Sequence, residues 1–227
     1  MEKLKLLYTR YKHGIPLVLY SALYLSWFCY LEKTVTKHYR IIHMAADDYI
    51  PFCELFVIPY FLWFAYVAAV VVYFFFKNKE DYYKTFIFLS VGMTIFLIIS
   101  TLWPNGHHLR PVDMPRDNFF TEWISFLYRT DTATNLWPSI HCYNSLGAHF
   151  AIMHSKEFAN RKGIRVGSLI LAVSIILSTV LIKQHSIFDV LTAFIMAAIM
   201  YALVYRRDLI ITPREVHNKK KAKPLAE

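Results

Sequence analysis

Three short stretches carry most of the reactive side chains: His107-His108-Leu109-Arg110-Pro111, Asn135-Leu136-Trp137-Pro138-Ser139-Ile140-His141 and Lys183-Gln184-His185-Ser186-Ile187-Phe188-Asp189. His185 and Asp189 lie four residues apart where an apolar run begins, so on a helix they share one face. A carboxylate beside an imidazole fixes one tautomer and stabilises the imidazolium, which makes the other ring nitrogen a better nucleophile or base. The plain alternative is that both residues only cap that helix. Pro138 suits a first helical turn, where its missing N–H would be unpaired anyway, and a helix starting there offers free N–H groups and a positive dipole end to an anion. Ser139 adds a hydroxyl and His141 a proton donor. Arg110 supplies a fork of donors matched to phosphate oxygens, or else snorkels to lipid headgroups. Two imidazoles, a carboxylate, a guanidinium and a helix N-terminus together describe phosphoryl transfer better than other chemistries.

These stretches have to be brought to one place by the rest of the chain. Its 227 residues are 56% hydrophobic and 18% charged, with a mean hydropathy of +0.35, against about 45–50% and about 25% in ordinary soluble domains. A water-soluble enzyme does not fit that composition, and 18 Phe, 16 Tyr and 5 Trp rule out disorder. A helix needs about 20 apolar residues to cross a bilayer core. Six apolar runs are visible: Ile15 to Leu31, Leu55 to Phe76, Phe86 to Trp103, Ile140 to Met153, Gly167 to Ile182 and Ile187 to Tyr205. The fourth is short and holds Asn144, Ser145 and His149, so parity rather than hydropathy makes it a crossing. The expected fold class is all-α, a six-helix transmembrane bundle, without the alternating strands of a β-barrel. The basic residues Lys3, Lys5, Arg10 and Lys12 resemble a signal-peptide n-region, but no small-residue cleavage site follows, and the first helix is expected to be retained. Residues 1–212 form one integral membrane domain in this reading, and residues 213–227 a basic cytoplasmic tail with Lys219, Lys220, Lys221 and Lys223.

If both ends face the cytoplasm, the inner segments hold 18 of the 25 Lys and Arg residues and the outer segments 7. The positive-inside rule then places all three reactive stretches on the extracytoplasmic face of a cell membrane. The formal charge of +9 reflects this asymmetry and not nucleic-acid binding. On the same face Phe119, Phe120, Trp123, Ile124 and Leu127 repeat at helical spacing behind Asp117 or Asn118 as N-cap. That segment is either an interfacial helix in the headgroup region or a helix packed on the bundle. Cys29, Cys53 and Cys142 suggest neither a disulfide framework nor a zinc ribbon.

Arg110-Pro111, Pro138-Ser139-Ile140-His141 and His185-Ser186-Ile187-Phe188-Asp189, in this order, resemble the type 2 phosphatidic acid phosphatase superfamily, which includes bacterial acid phosphatases, vanadium haloperoxidases and, more distantly, sphingomyelin synthases. The resemblance covers roughly residues 50–205. It implies that His185 attacks phosphorus, Asp189 orients it and His141 protonates the leaving oxygen, while Arg110, Ser139 and Asn135 bind the phosphate. The chain departs from the family pattern at Trp103, where a lysine is usual, at Ile140 for glycine and at Thr179 for arginine; Lys183 stands near enough to replace a missing cation as a point charge. Asp131, Asn135 and Trp137-Pro138-Ser139 are closer to the divergent branch near inositol-phosphotransferases and sphingomyelin synthases.

The expected activity is therefore hydrolysis of a lipid phosphate or pyrophosphate such as phosphatidic acid, without metal or cofactor and without an obligatory protein partner. The alternative is a lipid phosphotransferase that uses the same His/His/Asp set and a lipid alcohol as acceptor. A short outer segment, with little chain for a lid, favours an aqueous opening above His141 and His185 and so favours water. A metal site on His107, His108, His141 and His185 has few carboxylates to support it beyond Asp113, Asp117 and Asp131. A transporter would need broken helices or midplane charges.

Overall fold

The computed structural model describes residues 2–206, so the 212/213 boundary and the basic tail lie outside the described residues. The chain folds as α1 (Glu2–Tyr11), α2 (Ile15–Thr34), α3 (Val57–Lys77), α4 (Lys79–Leu102), α5 (Phe119–Thr130), α6 (Ile140–His154), α7 (Lys162–Leu181) and α8 (Ile187–Tyr201). Two-residue strands β1 (Arg40–Ile41) and β2 (Asn105–Gly106) pair in parallel, a small departure from an all-α chain. They tie the α2–α3 connection to the α4–α5 connection at one end of the bundle. α1 was not foreseen, and α4 and α7 start earlier than their apolar runs. Their first turns are rich in Lys, Arg, Glu and Asp, which form helix readily but carry no hydropathy signal.

Among the described residues five helices are long and apolar enough to cross a membrane: Lys5–Thr34, Glu54–Lys77, Lys79–Leu102, Lys162–Leu181 and Ile187–Arg206. α6 is not among them. At 15 residues it rises only about 22 Å, and it packs against α3, α4, α7 and α8 at once. Its His141, Cys142, Tyr143, Asn144, Ser145, Gly147 and Ala148 are all buried. A helix walled in by protein can carry polar groups that a lipid-facing helix cannot, which is why hydropathy reads it so weakly.

Two glycines set how close α4 and α6 come. A Cβ on Gly92 would stand 2.0 Å from Cε1 of Tyr143, and one on Gly147 would stand 2.6 Å from Cδ1 of Phe88. The rings that fill those gaps stack on each other with centroids 4.8 Å apart, and the Tyr143 hydroxyl donates to the Phe88 carbonyl at 2.8 Å. Each aromatic ring thus occupies the notch left by the glycine on the facing helix. The α3–α4 hairpin turns on Asn78, whose side chain accepts from the N–H groups of Glu80 and Asp81, with both acids in the first turn favoured by the helix dipole.

α5 begins where the sequence placed it. Asn118 is the N-cap, closing a capping box with Thr121. The packed arrangement is present: Ile124 and Leu127 pack with Val57, Tyr60 and Ile182 on the end of the bundle, while Phe119, Trp123 and Phe126 remain exposed.

Candidate active site

The site is assembled where α6 and α8 begin, and the two starts are tied together. Ser139 is the N-cap of α6, its Oγ accepting from Cys142 N–H, so Pro138 lies just outside the helix and not in its first turn. The Ser139 N–H donates to the Asp189 carbonyl at 3.3 Å, and the Trp137 indole donates to Thr192 Oγ1 at 2.9 Å. Upstream, Asn105 is fully buried. Its Oδ1 accepts from the N–H groups of Leu136 and Trp137, both at 2.9 Å, and its carbonyl accepts from Asn135 N–H at 2.7 Å. Asn135 has φ 55°, a left-handed conformation that Asn tolerates better than most residues. One buried amide on β2 therefore fixes the three residues that lead into the Ser139-Ile140-His141 turn.

At the start of α8, Asp189 does two things at once. Its Oδ2 accepts from the Ser186 N–H at 3.0 Å, closing a capping box, and lies 3.2 Å from His185 Nδ1. The plain capping role and the functional pairing are thus both present. Because a carboxylate only accepts, the Nδ1 of a neutral His185 carries the proton and Nε2 keeps a lone pair. That Nε2 faces His141 Nδ1 at 3.3 Å, so His141 Nδ1–H donates to it. The result is a directed array, Asp189 to His185 to His141, in which the lone pair of one imidazole meets the proton of the other. Burial pushes the His185 imidazolium below its ordinary pKa, and the nearby Arg110 charge acts in the same direction. His185 is accordingly neutral near pH 7.

His141 is held between aromatic rings of α3, with Tyr60 and Trp63 centroids 4.6 and 4.4 Å from its own. His141 and His185 are only 8% and 4% exposed, so both imidazoles are withdrawn from water where an aqueous opening above them was expected. A helix end cap is one reason: α5 packs over Tyr60 and Ile182.

Arg110 is brought to this end but is already engaged. Its guanidinium donates to the carbonyls of Tyr128 at 3.2 Å and Thr132 at 3.0 Å and to Gln184 Oε1, and it stacks 4.4 Å over the Tyr128 ring. Its buried Nε has no partner. Gln184 is the hub that sequence reasoning passed over. Its amide nitrogen donates to Asp131 Oδ2 at 3.1 Å and its carbonyl accepts from His107 Nε2 at 2.9 Å. Tyr60 also donates to Asp131 Oδ2, at 3.1 Å. Burial lifts the Asp131 carboxyl to about 6 against the pull of Arg110, and lowers His107 to about 4. His107 is satisfied as a neutral ring, since its Nδ1 accepts from Leu109 N–H at 3.1 Å.

Lys183 and Asn135 are placed differently from expectation. Lys183 has φ 53° and occupies the residue after the α7 C-cap Ile182. Its N–H bonds the Val180 carbonyl, and the Gln184 N–H bonds that of Thr179, the two bonds of a Schellman motif. Its ammonium donates to the carbonyls of Asp47 at 2.9 Å and Ile50 at 2.6 Å, so its contacts lead to the α2–α3 connection and not to the imidazoles. Asn135 donates to Glu32 Oε1 at 2.9 Å, leaving its buried Oδ1 unpartnered.

Asp47 is the second residue that sequence reasoning missed. Fully buried, it reaches across from the α2–α3 connection and accepts from Ser186 Oγ at 2.6 Å, Ile187 N–H at 2.7 Å and Met44 N–H at 2.8 Å. It anchors the start of the helix that carries Asp189. One of two adjacent Asp residues in AADDY, 139 positions from its partner Ser186, gives no local signal. Among the described residues no group of three or more His, Cys, Asp and Glu side chains is arranged to hold a metal ion. Set against known families, curated proteins and solved structures, the chain matches none.

Proposed function

We propose that this chain is a six-crossing membrane lipid phosphatase that works through a phosphohistidine on His185. In this reading α6 is the sixth crossing, sheltered by its neighbours, and the Lys and Arg distribution sets the site at the extracytoplasmic face. The observation that carries the proposal is the Asp189–His185–His141 array, with contacts of 3.2 and 3.3 Å. In the first step His185 Nε2 forms a bond to phosphorus as the bond to the lipid oxygen breaks, and His141, protonated on both nitrogens once the anionic phosphate lies beside it, gives its Nδ1 proton to that oxygen and becomes neutral. In the second, His141 takes a proton from water as the water oxygen attacks phosphorus, releasing inorganic phosphate and neutral His185. Imidazoles in hydrogen-bond contact leave no room for a phosphoryl group between them, so substrate replaces the His141–His185 contact as it enters. Arg110 Nε, the Ser139 hydroxyl and the amides at the α6 N-terminus are the donors on hand for its oxygens.

The burial of both imidazoles favours a second reading, in which water is kept out until a lipid alcohol takes the phosphoryl group or a phospho-headgroup. One experiment addresses both. Purified protein is incubated with labelled phosphatidic acid, or a choline or inositol phospholipid, together with diacylglycerol or ceramide. Vanadate-sensitive, chelator-resistant release of free phosphate supports the phosphatase. Label appearing faster in a new lipid than in free phosphate supports transfer, and no turnover of any substrate overturns both.

A further inference from the structure

At the opposite end of the bundle, about 20 Å along α6 from His141, lies a cavity of about 1140 Å³. Four segments meet around it: the α1–α2 turn brings Lys12 and His13, the start of α4 brings Lys79 and Lys84, the residues after α6 bring Lys156, and the last described helical turn, Ala202–Arg206, brings Tyr205. Four lysines face two carboxylates there. Both acids are committed elsewhere: Glu80 pairs with Lys84 at 3.0 Å, and Asp81 accepts from Asn78 Nδ2 at 3.0 Å at the α4 N-terminus. Lys12, Lys79 and Lys156 are exposed, form no ion pair among the described residues, and come from three separate segments.

Convergence of three unneutralised ammonium groups on one concave surface raises the local potential, and an anion entering it is attracted by all three. The rim says what kind of anion. Ile15 and Pro16 line the mouth, and Val18 and Leu19 of α2 follow, exposed on the surface of a candidate membrane span. A ligand seated among the lysines can therefore lay an apolar chain along α2. We infer that the cavity is a binding site for the phosphate-bearing headgroup of an anionic membrane lipid, in the leaflet at the far end of the bundle from the histidine pair. The inference does not depend on what chemistry, if any, the histidines perform.

A phosphodiester lipid keeps the test apart from phosphate-monoester turnover. Binding of dioctanoyl phosphatidylglycerol, dioctanoyl phosphatidylcholine and glycerol 1-phosphate to the detergent-solubilised full chain is measured by native mass spectrometry and by thermal shift, at 0.1 and 0.5 M NaCl. The expected result is at least tenfold preference for phosphatidylglycerol over phosphatidylcholine, weakened by salt. The K12Q/K79Q/K156Q variant is expected to keep its lipid-free melting temperature and lose that preference. Lys84 is left alone because of its Glu80 partner. Equal binding of the two lipids, or a preference that the triple variant retains, overturns the site. Glycerol phosphate binding as tightly as phosphatidylglycerol overturns the lipid assignment and makes the ligand a soluble phosphate.

Discussion

The two ends of the bundle handle charge in opposite ways. At the histidine end Asp47, Asn105, His107, Gln184, His185 and Asp189 are all under 5% exposed, and all but the Asp189 carboxylate, which bonds Ser186 and His185 nearby, are fixed by side-chain partners from distant parts of the chain. At the lysine end Lys12, Lys79 and Lys156 are exposed, and the caps that close the turns, Asn78 and Ser155, act on their own neighbours two or three residues on. The loops show the same contrast. Two of the three connections at the histidine end are long, 35 to 56 and 103 to 139, the third being the short turn 182–186 that carries Gln184 and His185, whereas at the other end all three are short, 12–14, Asn78 and 155–161. Taking polar groups out of water requires a partner for each, and here the long connections supply Asp47, Asn105 and His107 for that purpose. One end is thus built to hold groups at fixed positions in a low-dielectric setting, where electrostatics act strongly. The other presents charge to whatever arrives.

The contrast is broken most severely at His185. Under the proposed mechanism His185→Ala removes turnover to background and abolishes any acid-labile phosphoenzyme, while Asp189→Asn costs about 10³–10⁴-fold, as for orienting carboxylates in triads. Asp189→Asn is read together with the melting temperature, because the same oxygen closes the α8 capping box. Substantial turnover by His185→Ala would leave the array a structural one.

How far the sequence already showed this differs between the parts. The apolar stretches of α2, α3, α4, α7 and α8 and the His185/Asp189 pair are local, so apolar runs and an i,i+4 spacing suffice to find them, whereas α1 and the charged first turns of α4 and α7 at the lysine end carry no hydropathy signal. α6 was harder, since its neighbours and not lipid receive its side chains, and its beginning was misplaced by one cap because Pro138 precedes Ser139 in the same way in both arrangements. The partners Asp47, Asn105 and Gln184 were not legible as such. Each acts on a segment far away in the chain, and a single polar residue in a loop looks the same whether buried or solvated. Lys183 was visible as a cation near His185, but its left-handed backbone and its turn toward Asp47 and Ile50 follow from how α7 ends.

Asp47 offers the next largest effect. Asp47→Ala leaves Ile187 N–H, Ser186 Oγ and Met44 N–H without their acceptor, which should cost about 2–4 kcal/mol. Lys79→Gln removes a charge of opposite sign at the exposed end and should stay within about 0.5 kcal/mol. Thermal unfolding in detergent compares them directly. Similar losses would mean that the two ends are equally tolerant.

The pH response sharpens the same point through His107. A histidine held at about 4 in the fold and near 6.5 when unfolded binds fewer protons folded than unfolded between those values. Its contribution is therefore intact above about pH 6.5 and lost as pH falls toward 4, on the order of 3 kcal/mol in all. Asp131, lifted to about 6, works in the other direction, because its folded form holds a proton that the unfolded chain has released. The wild-type profile also carries His185, which burial shifts in the same direction as His107. His107→Asn should remove the His107 part, so that its melting temperature drops less steeply between pH 7 and 5 than that of wild type, even if it starts lower. An unchanged slope would show that His107 is not held neutral.

The smallest effect separates two roles for Lys183. As the left-handed residue of a Schellman motif it occupies a position that glycine takes without strain and alanine does not. Both Lys183→Gly and Lys183→Ala lose the ammonium and its two carbonyl contacts, yet only glycine relieves the backbone. The glycine variant should therefore be more stable than the alanine variant by about 1 kcal/mol. A phosphate ligand makes a different demand, because both variants lack the charge equally. If turnover of a lipid phosphate falls by more than tenfold in both, whatever their order in stability, the ammonium leaves Asp47 and Ile50 to meet the substrate. If turnover follows stability, with glycine close to wild type, Lys183 serves to end α7 and set the backbone of Gln184 and His185, and Arg110 carries the phosphate charge alone.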